Sequence, residues 1–316
     1  MHNLSFDFFQ KNNSSLQAIR KYSQLREILL RYPSVMLAYS GGVDSTFLLA
    51  AWQDAWRQEN IFSTAKKPIE KKPTAIANRE QKPRLLACTF LTPLLPDGTA
   101  EEVEKLVQLI GAEHRFIEMN PLEESFMQDN KIDRCYHCKA HLFSHLLSLA
   151  QEEKLTCLMD GTNIDDFNDY RPGHRALQEL SVVSPLAEVA LTKAEIRTLS
   201  KAMALPTWDQ PSMACLASRI PYGTAIDKIK LEQVDRAEKI LVEFGFVGSR
   251  VRHHGDIARL EIAGDLTQKA TRLFYEPLRS HLINAFKNIG FRYIAIDLEG
   301  YQTGSLNPTN ESIANS

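Results

Sequence analysis

The stretch LAYSGGVDSTFLLA, residues 37–50, decides the fold. An apolar run, Val35 to Ala38, stops at Ser40-Gly41-Gly42, and an apolar helical pattern begins at Phe47. A strand ending in two glycines before a helix makes a corner suited to an anion. Glycine permits positive φ and puts no side chain in the way of close approach. The helix points its free N–H groups and the positive end of its dipole at the same place. Ser45 and Thr46 add hydroxyl donors. Asp44 would repel phosphate unless Mg²⁺ lies between its carboxylate and the phosphate oxygens. The loop is neither a Walker A motif nor G-x-G-x-x-G. Two glycines alone would read as an ordinary turn; the whole string S-G-G-V-D-S is more specific.

Outward from this corner, strand-like and helical patterns alternate over residues 34–186. Helix 14–31 precedes strand 35–39, and a helix spans about 44–56. RLLACTF (84–90), HRFIEM (114–119) and TCLMDGTN (156–163) read as further strands, and SVVSPL as a short one. Between them lie the helical patterns TAEEVEKLVQLIGA, with Thr99 as N-cap, and RCYHCKAHLFSHLLSLAQEEK. Such alternation predicts an α/β fold, a parallel sheet with helices on both faces. Ligands of such sheets sit at the carboxyl ends of the strands, here the corners after 39, 90 and 160. Thr192 and Glu195 fit a capping box. Residues 207–224 are irregular; then come a helix over 227–244, a hairpin around Gly255-Asp256, a helix over about 266–288 and strand FRYIAIDL. The expected domains are 1–206, a linker 207–224, a smaller α+β domain 225–305 and a disordered tail 306–316. Residues 58–83, rich in Lys and Pro, read as a mobile surface insertion.

The chain has 316 residues, 44% hydrophobic and 24% charged, with a formal net charge of −2. That balance leaves no electrostatic footprint for bulk nucleic-acid binding, so nucleic acid is not expected as a partner. No apolar run is long enough to span a membrane, and the first residues lack a signal-peptide pattern, so the expected location is cytoplasmic. Five cysteines, an odd number, argue against a disulfide framework. Cys88 and Cys157 lie in apolar runs and read as core residues. Cys135, Cys138 and Cys215 lie in polar contexts. A lone C-x-x-C such as Cys135-Tyr136-His137-Cys138 fits half a zinc site, a redox pair or chance.

The loop SGGVDST (40–46) resembles the PP-loop of the ATP-pyrophosphatase superfamily. With RCYHCK (134–139), GTNIDDFNDYRPG (161–173), SMACLASRIPYGT (212–224) and VRHHGDIARLE (251–261), the chain resembles the LarE family over roughly residues 15–305. The resemblance implies an ATP- and Mg²⁺-dependent sulfur transferase. Such an enzyme adenylates a pyridinium carboxylate on a mononucleotide, releases pyrophosphate, and exchanges AMP for sulfur, in the synthesis of the nickel-pincer nucleotide of lactate racemase. Ser40, Gly41, Gly42, Asp44 and Ser45 would carry the phosphate and Mg²⁺ role. Thr89, Phe90, Gly161, Thr162 and Asn163 would line the nucleotide, with Asp165 and Arg171 as further candidates. Asp165, Asp166 and Asp169 read equally well as loop solvation and helix capping. Arg219, Arg250 and Arg252 would hold the substrate phosphate; without the resemblance, Arg250 and Arg252 read as a solvated strand face. Glu238 and Glu261 match acidic positions linked to metal between subunits, although a glutamate on a long helix is more often exposed. A homo-oligomer, hexameric by resemblance, is expected.

In much of the family the cysteine matching Cys215 donates its own sulfur and is left as dehydroalanine. A subset resembles a three-cysteine arrangement. There Cys135, Cys138 and Cys215 would hold a 4Fe-4S cluster with one iron free for an extra sulfide, and His137 would point elsewhere. The alternatives are sacrificial Cys215, a PP-loop tRNA thiolase, and a nucleotide-binding regulator that has lost the chemistry.

Overall fold

The strand before the glycine corner carries its apolar side chains on both faces, as a buried central strand must. In the computed structural model, which describes residues 15–65, 82–168, 172–212 and 214–307, the elements run α1 (Leu16–Leu29), β1 (Ser34–Ala38), α2 (Val43–Ala65), β2 (Arg84–Leu91), α3 (Thr99–Ile110), β3 (Glu113–Glu118), α4 (Arg134–Glu152), β4 (Cys157–Met159), α5 (Lys193–Ala202), α6 (Lys228–Glu243), β5 (Arg250–His254), β6 (Ile257–Glu261), α7 (Leu266–Arg272), α8 (Leu278–Ile289) and β7 (Tyr293–Ile296). Short helical turns connect them. The described residues form two units. The first takes residues up to Phe90, Ala100–Ile117 and Lys139–Gln210; the second takes Leu91–Thr99, Glu118–Cys138 and residues from Pro211 onward.

The first unit is built on a four-stranded sheet of order β3-β2-β1-β4, with β1 parallel to both β2 and β4. Val35 and Leu37 pack on one face with Leu25, Phe47, Leu48 and Leu199. Met36, Leu86 and Cys88 pack on the other with Phe143, Leu146 and Leu177. The strand period of two thus supplies two cores and buries the sheet between helices, the expected α/β fold. Burial raises the thiol pKa of Cys88 to about 11 and of Cys157 to about 12, as inert core cysteines require.

The second unit has a three-stranded sheet, β5-β6-β7, with β5 antiparallel and β7 parallel to β6. Phe246, Val251, Leu260, Phe286 and Phe291 form its main core. Leu94, Met127, Leu216, Ala217, Ile220, Leu231 and Val234 form a second, smaller one.

Several local expectations are corrected. Helix α2 continues past Trp56 to Ala65, so the first residues of the 58–83 segment are helical; 66–81 lie outside the described residues, as do 308–316 of the tail. Thr99 is the first helical residue rather than a cap, and its hydroxyl donates to the Pro96 carbonyl (2.5 Å). SVVSPL makes one isolated bridge, Val183 to Met159, instead of a strand. The segment 266–288 is two helices: the first ends at Arg272, and Pro277 is the N-cap of the second. Among the described residues no helix is long and apolar enough to cross a membrane.

Candidate functional site

In the first unit the corner after β1 is held by its own hydroxyls. Ser45 Oγ receives the Ser40 N–H (3.3 Å), lies 3.1 Å from Ser40 Oγ and donates to the Gly42 carbonyl (3.3 Å). Ser40 Oγ accepts the Gly42 N–H (3.3 Å). Gly41 has φ +76°, a conformation in which a side chain is strained. Thr46 Oγ1 lies 3.0 Å from Tyr39 Oη, and Thr89 donates to the Tyr39 carbonyl (2.7 Å), tying the β2 corner to the β1 corner. The β4 corner closes in from the other side. A β-carbon on Gly161 would sit 2.9 Å from the Ser45 backbone nitrogen, so only glycine lets the two backbones approach.

Asp44, in the first turn of α2, is the charged centre of this corner. Its Oδ2 pairs with Lys193 Nζ, while its Oδ1 is buried with no partner among the described residues. Desolvation raises the Asp44 pKa, and the Lys193 ammonium opposes that rise. A buried carboxylate oxygen with nothing to accept suits a hard divalent cation. Lys193 is the first residue of α5, where a capping box on Thr192 and Glu195 fixes the helix start. Its N–H donates to Asp165 Oδ2 (2.8 Å), the Asp165 N–H to Asn163 Oδ1 (2.9 Å), and the Asn163 N–H to Asp166 Oδ2 (3.0 Å). Through Asp165 the corner after β4 therefore anchors the helix that carries Lys193, while among the described residues the short helix Gly173–Glu179 has no side-chain cap. Asp169 and Arg171 lie outside the described residues.

Sequence reasoning missed Lys193. The signal was available: a cation at the start of a capped helix opposes the dipole, so something else must hold it there.

The second unit contains all three polar cysteines. None of them is in a disulfide. Cys135 is the second residue of α4, and Cys215 precedes the helical turn Leu216–Arg219. Arg134, 4% exposed, donates from Nη2 to Cys135 Sγ (3.6 Å) and from Nη1 to the Ala217 carbonyl (3.3 Å) and Asn130 Oδ1. Desolvation lowers the Arg134 pKa, but the charges of Cys135 and Cys215 outweigh it and the net shift is upward. Cys215 is an exposed residue; surrounding protein still desolvates its thiol and raises its pKa, against the pull of Arg134 and Arg219. Cys138 packs against the smaller core of Leu94 and Val234. His137 Nε2 lies 3.1 Å from Asp133 Oδ2. Among the described residues no three His, Cys, Asp or Glu side chains converge closely enough to hold one metal ion.

The three arginines are not solvated. Arg219 makes a two-pronged pair with Glu238 (2.9 and 3.0 Å), so Glu238 is engaged rather than simply exposed. Arg252 pairs with the fully buried Glu261 (2.6 Å), which also accepts from Arg259 (3.1 Å) and Ser305 (2.7 Å). Arg250 is the least neutralised. It donates to the Ser212 carbonyl (2.6 Å), lies 3.7 Å from Glu238, and burial lowers its pKa. An incoming phosphate would find its most available charge there.

The parallel sheet and the serine–glycine corner at the end of its central strand define an α/β fold of PP-loop type. No family model matches the chain. It is 35% identical over 287 residues to an uncharacterized protein of Synechocystis sp., covering 91% of this chain and 97% of that protein. It is 30% identical over 279 residues to the pyridinium-3,5-bisthiocarboxylic acid mononucleotide synthase of Lactiplantibacillus plantarum, covering 87% and 89%. An uncharacterized protein of Methanocaldococcus jannaschii is 25% identical over 270 residues, covering 85% and 91%. The chain therefore belongs to the LarE family, that of the bisthiocarboxylic acid mononucleotide synthase.

Proposed function

We propose that this protein is an ATP-dependent sulfur transferase that converts a pyridinium carboxylate of a mononucleotide into a thiocarboxylate. The observation that carries the reading is the pairing of Asp44 with Lys193 beside an orphaned Asp44 oxygen, at a corner of hydroxyls and glycines. The carboxylate oxygen attacks the α-phosphorus of ATP, the α–β bridging bond breaks, and pyrophosphate leaves. Mg²⁺ on Asp44 would screen the phosphate oxygens, and Lys193 would turn its ammonium to the departing pyrophosphate. Sulfur then attacks the acyl carbon and AMP leaves with the electron pair of the C–O bond. Arg250 binds the substrate's own phosphate, with Arg219 and Arg252 behind it. A cytoplasmic homo-oligomer acting on a small molecule, without nucleic acid, fits this reading.

Two sulfur sources remain in play. A 4Fe-4S cluster on Cys135, Cys138 and Cys215 would supply an external sulfide and give Cys135 and Cys138 a task; among the described residues no group of three such side chains is placed to hold a metal ion. The second source is Cys215 itself. As nucleophile it would form a thioester; loss of its Hα as a proton and cleavage of Cβ–S would then release the thiocarboxylate and leave dehydroalanine. Anaerobic turnover with the pyridinium dicarboxylate mononucleotide decides the matter when pyrophosphate, iron and protein mass are read on one sample. Substrate-dependent pyrophosphate release supports the transferase, whereas bound ATP without release for any carboxylate points to a regulator. Loss of hydrogen sulfide from Cys215 in an iron-free sample identifies the protein itself as donor; bound iron and an unchanged Cys215 mass identify the cluster.

A further inference from the structure

Arg134 is a buried cation for which no carboxylate is a partner among the described residues, although Arg219 and Arg252 of the same unit each have one. An uncompensated guanidinium in a protein interior is costly unless an anion faces it. Its fork is spent on joining two distant stretches of chain. Nη1 reaches Asn130 Oδ1 and the Ala217 carbonyl, two residues beyond Cys215, while Nη2 reaches the sulfur of Cys135. The guanidinium also lies over the Tyr222 ring, 5.4 Å from its centre. Asn130 completes the stitch: its side-chain amide donates to the carbonyls of Pro221 (2.9 Å) and Thr224 (2.7 Å), and its backbone carbonyl accepts the Gly223 N–H (2.9 Å).

We propose that Arg134 is the positioning residue that presents the sulfurs of Cys135 and Cys215 together and sets a positive charge beside them. The inference rests on the proposed sulfur chemistry at Cys215, which it deepens. A planar fork bridges two segments at once, whereas a lysine offers charge from a single point. The two parts of the role are therefore separable by substitution.

The test uses the protein without substrate, so it stands whether or not the transferase reading does. Labelling rates of Cys135 and Cys215, located by peptide mass mapping, are measured with a dianionic aromatic disulfide and with a neutral dipyridyl disulfide. Both reagents react with thiolate, so the ratio of their rates reports local charge. Removing a unit charge near the sulfurs in Arg134→Met lowers that ratio about fivefold or more, and Arg134→Lys keeps it within about twofold. A short bifunctional alkylating agent joins Cys135 to Cys215 in the unsubstituted protein, and this yield drops in both variants because neither retains the fork. An unchanged ratio in folded Arg134→Met, or no Cys135–Cys215 cross-link in the unsubstituted protein, overturns the proposal. If Arg134→Met does not fold, Arg134→Lys decides alone: a collapsed ratio or a full cross-link yield rejects it.

Discussion

Lys193 and Asp44 are 149 positions apart in the chain, yet they form the charged centre of the corner after β1. The loop residues were legible because one short string holds them. The lysine was not, because only the fold brings it there. Replacing Lys193 with Met removes the counter-charge and lowers ATP-dependent pyrophosphate release by about 10²-fold or more, as losing one preorganised electrostatic contact does elsewhere. Steady-state pyrophosphate assays check this, with circular dichroism to confirm folding. Gly161 is a separate case. Its β-carbon would press on the Ser45 backbone, which cannot swing aside as a flexible side chain can. Gly161→Ala is expected to cost about 1–3 kcal/mol by overpacking and to weaken nucleotide binding, read by thermal denaturation with and without ATP.

At the scale of elements, the capping box on Thr192 was legible because its two partners are three residues apart. Its purpose was hidden: the corner after β4 holds that helix start through Asp165 and so aims Lys193. Thr192→Ala therefore costs about 1 kcal/mol in stability through the lost cap, and it also weakens ATP binding, which a merely structural cap would leave unchanged. Calorimetry of ATP binding separates the two. The lengthened α2 and the break at Pro277 were misread because periodicity outlasts or bridges such boundaries. His114 gives a pH prediction. Desolvation lowers its pKa to about 4, beside the Thr89 hydroxyl at 2.9 Å. The folded state thus disfavours its protonation. Stability from the neutral ring is present above the unfolded pKa near 6.5 and is lost as pH falls toward 4. Urea midpoints between these pH values should decline with acid, and His114→Phe should flatten the decline.

Across the whole molecule, the two units are not two consecutive pieces of chain. Residues 91–99 and 118–138 belong with the C-terminal part, so Cys135, Cys138 and Cys215 all lie in the second unit. No sequence periodicity announces that exchange, since it depends on which apolar side chains find a shared core. The paired arginines belong to the same scale. Arg250 and Arg252 alternate as a solvated strand would, but Glu238 and Glu261 come from elsewhere to meet this cluster. Glu238→Leu leaves the buried Arg219 unpaired and should cost about 3–5 kcal/mol, seen as a fall in thermal midpoint.

The proposed reaction cleaves ATP at the Asp44 corner to activate a carboxylate for sulfur. It is tested most directly by anaerobic single-turnover incubation with ATP, Mg²⁺ and the pyridinium dicarboxylate mononucleotide, with pyrophosphate, AMP and thiocarboxylate quantified together. Equal amounts of the three, abolished in Asp44→Asn, are the predicted result. ADP and phosphate in place of AMP and pyrophosphate, or pyrophosphate release undiminished in Asp44→Asn, would contradict it.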